Sequence, residues 1–304
     1  MLFTDVPSPH VSRLLADVAY TPFWLDDPDA PAPLPPLAND TRTELLVVGG
    51  GFTGLWTALL AKQRNPERDV LLIDAGRIAH AGSGRNGGFV HASLTHGLAN
   101  GAARYPQEIA EIIRLGNANL DAIRAFVHTN NIDCDWRDSG ELEYAITEHE
   151  ARDVQDRVWT AQRFGEDQRW LTGDELRERI NAPHVIGANF EARSVSMVNP
   201  ARLAWGLRAA CIAAGVHIHE DTALQDIDVR NGRAVAHTPH ATITAQRVAL
   251  CTNAFRSPLP QVRRRVLLGE QVRELARHLD CGTKTVGALV DRIVDEHDIG
   301  IAAV

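Results

Sequence analysis

Two short apolar runs flank an amphipathic stretch early in the chain. Leu45 to Val48 ends at Gly49, Gly51 and Gly54, LWTALLAKQR follows at helical spacing, and Val70 to Ile73 closes on Asp74. Strand, glycine-rich turn, helix, second strand and terminal carboxylate form a β-α-β unit suited to an adenine dinucleotide. In this reading Gly49 permits the tight strand-to-helix turn, Gly51 lets a pyrophosphate approach the backbone, and Gly54 lets the helix pack on the strand. Free N–H groups at the helix start, with the positive end of its dipole, receive the phosphate charge. Asp74 is placed for ribose hydroxyls, although a carboxylate there also fits an ordinary solvated strand end.

Elsewhere the period changes. Pro7, Pro9, Pro22 and Pro28 punctuate residues 1–40, and PAPLPPL at 31–37 excludes regular helix or central strand. This segment is expected to be an arm anchored by Phe23 and Trp24. AHAGSGRNGGF at 79–89 lacks apolar periodicity and reads as a loop. Ile109, Ile112, Ile113, Leu120, Ile123, Phe126 and Val127 recur at helical spacing between Pro106 and Asn130. GELEYAIT at 140–147 alternates, which puts Leu142, Tyr144 and Ile146 on one strand face. Residues 148–164 are polar and helix-prone, TGDE from Thr172 has capping-box spacing to Glu175, and 185–198 reads as extended. Asn199 and Pro200 start a helix that Gly215 ends. VHIHED at 216–221 is a strand, and Asn231-Gly232 joins two further strands in a hairpin before RVALC.

The expected fold is therefore α/β, a dinucleotide domain interrupted by a mixed α+β domain. The boundaries are an arm at 1–40, the first part of the nucleotide domain at 41–134, the inserted domain at 135–198, the second part at 199–260 and a helical tail at 261–304.

Composition narrows this little. Hydrophobic content of 44% and charged content of 23% are ordinary for a globular chain, and a net charge of −8 disfavours broad nucleic-acid binding. Cys134, Cys211, Cys251 and Cys281 lie far apart, which excludes a CxxC metal or redox motif. Cys211 and Cys251 sit in apolar runs and read as buried thiols. No basic-then-apolar leader or membrane-length apolar run is present, and a cytoplasmic setting is expected.

With those residues in place, the chain resembles the D-amino-acid-oxidase-like (DAO) family of FAD-dependent oxidoreductases, in particular its γ-glutamylputrescine oxidase-like members. VVGGGFTGLWTALLA, VLLIDAGRIAHAGSGRNGG, VNPARLAWGLRAACIAAGVHIHEDT and VALCTNA carry the likeness through about residue 258. The resemblance implies an FAD-binding Rossmann-type domain with an inserted mixed α+β substrate domain. It implies that Gly49, Gly51, Phe52, Thr53 and Gly54 hold the pyrophosphate, and that Asp74, with Ala75 beside it, meets the adenosine ribose. Ser83, Gly84, Arg85, Asn86, Gly87 and Gly88 would line the flavin and its ribityl-phosphate chain. Leu224 matches a position whose backbone meets the adenine, and Thr252, Asn253 and Ala254 match a strand-end turn near the cofactor. The implied enzyme oxidises a C–N bond of a small amine or amino acid by hydride transfer to flavin, with oxygen or another acceptor taking the electrons. No catalytic side chain and no metal is implied. His91 and His96, just past the loop, are candidates to face the pocket and read equally as ordinary loop histidines.

Family members continue after VALCTNA, and residues 261–304 do not resemble that continuation. The chain is thus expected to be C-terminally truncated, its fold incomplete there. VRELARHLDCGTKTVGALVDRIVDEHDIGI is spaced like a helix-turn-helix, with Thr283, Lys284 and Thr285 at the start of the second helix and Arg263 to Arg265 available to phosphates. A plain two-helix hairpin fits the same spacing. Two alternatives stay open at this point: an inactive gene fragment or fusion, and a flavin domain with a DNA-binding tail.

Overall fold

The computed structural model of the chain describes residues 9–14, 16–18, 21–253, 255 and 259. The tail at 261–304, with its helix-turn-helix spacing and Cys281, lies outside them, as does Ala254. After a short helix α1 (Pro9–Leu14) and a 3-10 turn at Phe23–Leu25, the chain forms β1 (Thr41–Val48), α2 (Phe52–Arg64) and β2 (Val70–Ile73). Next come β3 (Phe89–His91), α3 (Leu98–Arg104), α4 (Ile109–Thr129), β4 (Glu141–Ala145), α5 (Glu148–Arg163), β5 (Gln168–Leu171), α6 (Gly173–Arg177), β6 (Gly187–Glu191) and β7 (Val195–Met197). α7 (Pro200–Ala213), β8 (His217–His219), β9 (Asp226–Arg230), β10 (Arg233–His237) and β11 (Thr242–Leu250) complete it.

The main sheet has the order β8-β2-β1-β11-β10-β9. Its first four strands run parallel, and β11-β10-β9 form an antiparallel meander. Parallel strands need cover on both faces, and both are apolar here. Val47, Val70 and Leu72 pack against Leu55 and Leu59 of α2 and Leu203, Leu207 and Cys211 of α7. Leu46, Val48, Leu71 and Ile73 pack on the other face with Leu37, Ala236, Ile243 and Ala245. Asn199 caps α7 by accepting from the N–H groups of Ala201 and Arg202 at 3.1 Å each. Gly215 ends that region at φ +83°, and Asn231-Gly232 takes φ +53° and +72°, the left-handed pair a two-residue hairpin requires.

A three-stranded antiparallel sheet, β4-β6-β5, carries α5 on one face. Here the structure decides which face of β4 is covered and departs from the sequence expectation at one helix cap. The inward residue of β4 is Ala145, packed on Ala151 and Val154 of α5, while Tyr144 and Ile146 are exposed. Thr172 precedes α6 without a side-chain cap bond; the capping box that forms is Thr147 with Glu150 at the head of α5. Glu175, expected in the first box, lies 3.7 Å from Arg169 instead. Strands β3 and β5 and helix α3 carry no apolar period long enough to read from sequence. Of the thiols, Cys134 and Cys211 are buried and Cys251 only half so. Among the described residues no helix is long and apolar enough to cross a membrane.

The arm is stitched along one side of the main sheet and α7. Trp24 Nε1 donates to the Asn86 carbonyl at 2.8 Å, whereas Phe23, the other expected anchor, is 80% exposed. Arg77 donates to the Pro31 carbonyl and Arg208 to that of Ala32, both at 2.7 Å. The Leu34 N–H reaches buried Glu220 at 2.8 Å, and the Leu37 N–H reaches Thr222 at 3.0 Å.

Arg202 donates to Asp27 at 2.7 Å and holds that carboxyl below its ordinary value. A lowered acid pKa favours the folded state above the unfolded value and is lost as pH falls through the folded one. Asp27→Asn should therefore lower the urea midpoint at neutral pH, and its deficit against the parent should shrink as the pH drops below the ordinary 3.8. A deficit that stays constant with pH would refute the ionic account.

Candidate dinucleotide site

The site forms where β1 hands over to α2. Gly49 takes φ +107°, and a Cβ there would lie 2.5 Å from the Cys251 carbonyl oxygen of neighbouring β11. Its N–H donates to Ile73 O at 2.8 Å, so the turn is held by β2 as well. A Cβ on Gly54 would lie 1.8 Å from the Gly49 carbonyl oxygen, so α2 sits directly on the end of its own strand. These approaches are backbone to backbone and need glycine for that reason.

Asp74 faces this turn. Its Oδ2 accepts from the Gly50 N–H at 2.6 Å and its Oδ1 from the Gly76 N–H at 2.8 Å. Each carboxylate oxygen keeps a further lone pair, so the group is both oriented and able to accept again. The 79–88 loop folds back over the helix start. Ser83 Oγ accepts from the Phe52 N–H at 3.0 Å, and a Cβ on Gly51 would come within 2.8 Å of that oxygen. The Ser83 proton remains to be donated outward.

Buried Gly84 packs against the Ala79 carbonyl oxygen and Leu25, and Gly88 at φ +79° packs against the Val198 carbonyl oxygen. Asn86 is the internal staple of the loop: its amide donates to the carbonyls of Gly82 and Ser83 and its Oδ1 accepts from the Gly88 N–H. Arg85 is exposed, with Nε donating to the His80 carbonyl at 2.6 Å, and Thr53, Ala75 and Gly87 are exposed too. Thr252 and Asn253 follow β11 beside Gly49, and Leu224 packs on the core cluster that includes Leu250. Residues 49–54, 74 and 83 thus converge, while Leu224 sits in the link between β8 and β9.

Two observations bear on whether a dinucleotide suits this crevice. Helix α2 runs 13 residues with no capping side chain of its own and no acidic residue in its first turn, so its positive end is met only from outside, by Asp74 at the Gly50 N–H and the neutral Ser83 hydroxyl at the Phe52 N–H. The unspent donor of Ser83 and the free lone pairs of Asp74 flank it. The residues fit a pyrophosphate and a ribose diol. Among the described residues burial raises the thiols out of a reactive range, Cys134 to about 11 and Cys211 to about 12.

The family profile described as "FAD dependent oxidoreductase" (DAO) matches residues 44–294. The chain belongs to the DAO family. This DAO chain is 28% identical over 261 residues to gamma-glutamylputrescine oxidoreductase of Escherichia coli, covering 84% of itself and 57% of that protein. It is 25% identical over 246 residues to the probable oxidoreductase OrdL of Haemophilus influenzae, covering 79% of itself and 55% of that relative. It thus spans little more than half the length of these curated relatives. Among solved structures, glycine oxidase from Geobacillus kaustophilus shares the fold with a TM-score of 0.60 at 23% identity, over 70% of this chain and 56% of that one.

A second concavity of about 530 Å³ lies between α3, α4, α5 and the three-stranded sheet. His91 and His96 line it, together with Glu166, Gln168, Asn189 and Glu191, and no residue of the glycine turn or of the 82–88 loop does. The sequence reading did not single out those four polar residues. The available signal was the alternation in GANFE, which puts Asn189 and Glu191 on one strand face.

Proposed function

We propose that this DAO-family chain binds FAD across the β1–α2 turn and the 83–88 loop and serves the oxidation of a C–N bond in a small amine or amino acid. One observation carries the reading: Asp74, Ser83 and Gly49, Gly51 and Gly54 converge on the start of α2, which has no capping side chain of its own. In this assignment Asp74 accepts from the ribose diol. Thr53 offers its backbone N–H to the pyrophosphate, and Ser83, which holds the Phe52 N–H, adds its hydroxyl proton. Arg85 swings from His80 to a phosphate or a flavin edge. Asn86 keeps the loop shaped, with Trp24 bracing it from the arm. Ala75, Leu224, Thr252 and Asn253 border the adenosine end and the strand-end turn. FAD, when bound, supplies the two-electron acceptor.

The substrate class rests on the relatives. One is named for gamma-glutamylputrescine and a solved neighbour for glycine, both of which carry an amine beside an oxidisable carbon. Purified chain is expected to take up FAD with quenched flavin fluorescence and a raised melting temperature. Protein that stays colourless and melts unchanged with FAD would end the reading. Anaerobic addition of gamma-glutamylputrescine or glycine is expected to bleach the bound flavin; bound flavin that no amine bleaches would remove the catalytic half alone.

A further inference from the structure

Strand β6 breaks a rule that the rest of the fold keeps. All five of its residues are buried, yet only one of its faces is apolar. Ala188 and Phe190 pack with Leu171 and Leu176. Gly187, Asn189 and Glu191 point the other way, toward α5. At one end of that face the neighbours are polar as well, Glu141 and Gln168 pairing with Glu191 and Glu143 with Asn189, while Trp170 beside Asn189 and Ala145 beside Gly187 make the other end apolar. A covered stretch of Glu, Gln and Asn beside that apolar end is costly unless something answers it.

The protein answers only part of it. Arg157 of α5 donates to Glu143 at 2.5 Å, and His91 of β3 lies 3.7 Å from Glu141. Glu166 and Glu191 have no cationic partner among the described residues. Gln168 spends both amide hydrogens on them, at 3.3 Å to Glu166 and 2.9 Å to Glu191. Its own oxygen takes the Asn189 amide at 3.1 Å. That leaves Asn189 Oδ1 buried without a partner among the described residues, on a residue only 7% exposed. All four residues line the cavity of about 530 Å³, a volume suited to a small ligand. Burial, and then the neighbouring Glu191 charge, raise the Glu166 pKa to about 7.

This cluster has acceptors in excess, so its guest must donate and carry positive charge. Among the described residues no three ligand-type side chains are grouped to cage a metal ion. The opposite wall is aliphatic, from Leu98, Ile109, Ile112 and Ile113. An ammonium on an alkyl stem matches both walls: three donors for the oxygens and methylenes for the isoleucines.

We propose that this cavity is a binding site for an alkylammonium cation, its charge held by Glu191, Glu166 and the Asn189 carbonyl. The site shares no lining residue with the glycine turn, so the proposal goes beyond the flavin reading and its test uses no flavin. Bound cation favours ionised Glu166, so binding below about pH 7 releases a proton. The other groups facing Glu166 are Glu191 of β6, Glu141 and Glu143 of β4, Arg157 of α5, His91 of β3 and His96 beyond it.

The test is titration calorimetry of the FAD-free chain with n-butylammonium chloride and with n-butanol. Butylammonium is expected to saturate and butanol not to bind. Glu191→Gln is expected to weaken butylammonium by about tenfold or more, as loss of a charged hydrogen bond does. At about pH 6 the heat should vary with buffer ionisation enthalpy and at about pH 8 it should not, and Glu166→Gln should abolish that variation. An unchanged urea midpoint shows that a variant is folded; if Glu191→Gln fails this, Glu166→Gln carries the affinity comparison. Absence of butylammonium heat at about pH 8, equal binding of butanol, unaltered affinity in the variants, or displacement by Mg²⁺ or Ca²⁺ at equal concentration would each overturn the proposal.

Discussion

Glu220→Ala is expected to remove about 3–5 kcal/mol of stability, a drop of roughly 10 °C in melting temperature for a chain of this size. The reason is the number of groups this one carboxylate satisfies. Glu220 is 2% exposed. Oε2 accepts from the Leu34 N–H at 2.8 Å and Arg77 Nε at 3.1 Å, and Oε1 accepts from the Ile78 N–H at 3.0 Å. Arg208, itself buried, faces Oε1 at 3.7 Å and has no other anion beside it among the described residues. Truncation strands two backbone donors and a buried guanidinium together. Two of those groups sit on opposite sides of the carboxylate, Leu34 in the arm and Ile78 before the 79–88 loop, so the damage extends to the arm. Hydrogen exchange at Leu34 should accelerate more than exchange within β1. Glu220→Gln keeps an acceptor and should lose less. A urea midpoint for the alanine variant that matches the parent would show that water replaces the carboxylate without cost.

Gly54→Ala is expected to lose about 2–3 kcal/mol and, with it, the response to FAD. Alanine is the better helix former by about 1 kcal/mol, so propensity alone favours the substitution. The contact decides otherwise. The added methyl would meet the Gly49 carbonyl oxygen at 1.8 Å and the Val47 Cγ1 at 3.4 Å. No rotamer relieves a clash between Cβ and backbone, so α2 must lift from β1 and carry the N–H groups of its first turn with it. In the parent, FAD at a hundred times its dissociation constant should add about 2.7 kcal/mol to stability. The variant should show almost none of this shift. Gly82→Ala is the matched control: it lies in the neighbouring loop with nothing within 4 Å of its added methyl, and should stay within about 0.5 kcal/mol of the parent. An alanine variant at position 54 that melts later with FAD, as the parent does, would detach the glycine from the site.

Both effects separate what could be read in the chain from what could not. The β1–α2–β2 unit, the α7 cap at Asn199 and the Asn231-Gly232 hairpin were legible because each depends on neighbours within a few residues. Propensity, capping and turn chemistry are local, and local rules survive into the folded state. Which face of β4 is covered was not legible, for the opposite reason. Alternation alone cannot say which face a helix will cover, and α5 covers the side of Ala145 rather than that of Tyr144. The TGDE spacing likewise matched a capping box that the local backbone does not close, while Thr147 and Glu150 formed one unnoticed.

By itself, then, the sequence determined the α/β class, the glycine turn and the carboxylate after β2, because steric demands on single residues write themselves into residue type. Only the tertiary structure decided that Asp74 grips the Gly50 N–H, that Ser83 returns to the head of α2, and that Glu220 joins the arm to the loop. It alone brought Glu166, from the bend before β5, onto Glu191 of β6. Those partners lie up to 186 positions apart. A hydrogen bond or a shared burial at that separation leaves no periodicity in the chain, since it is set by how layers stack and not by the order of neighbouring residues.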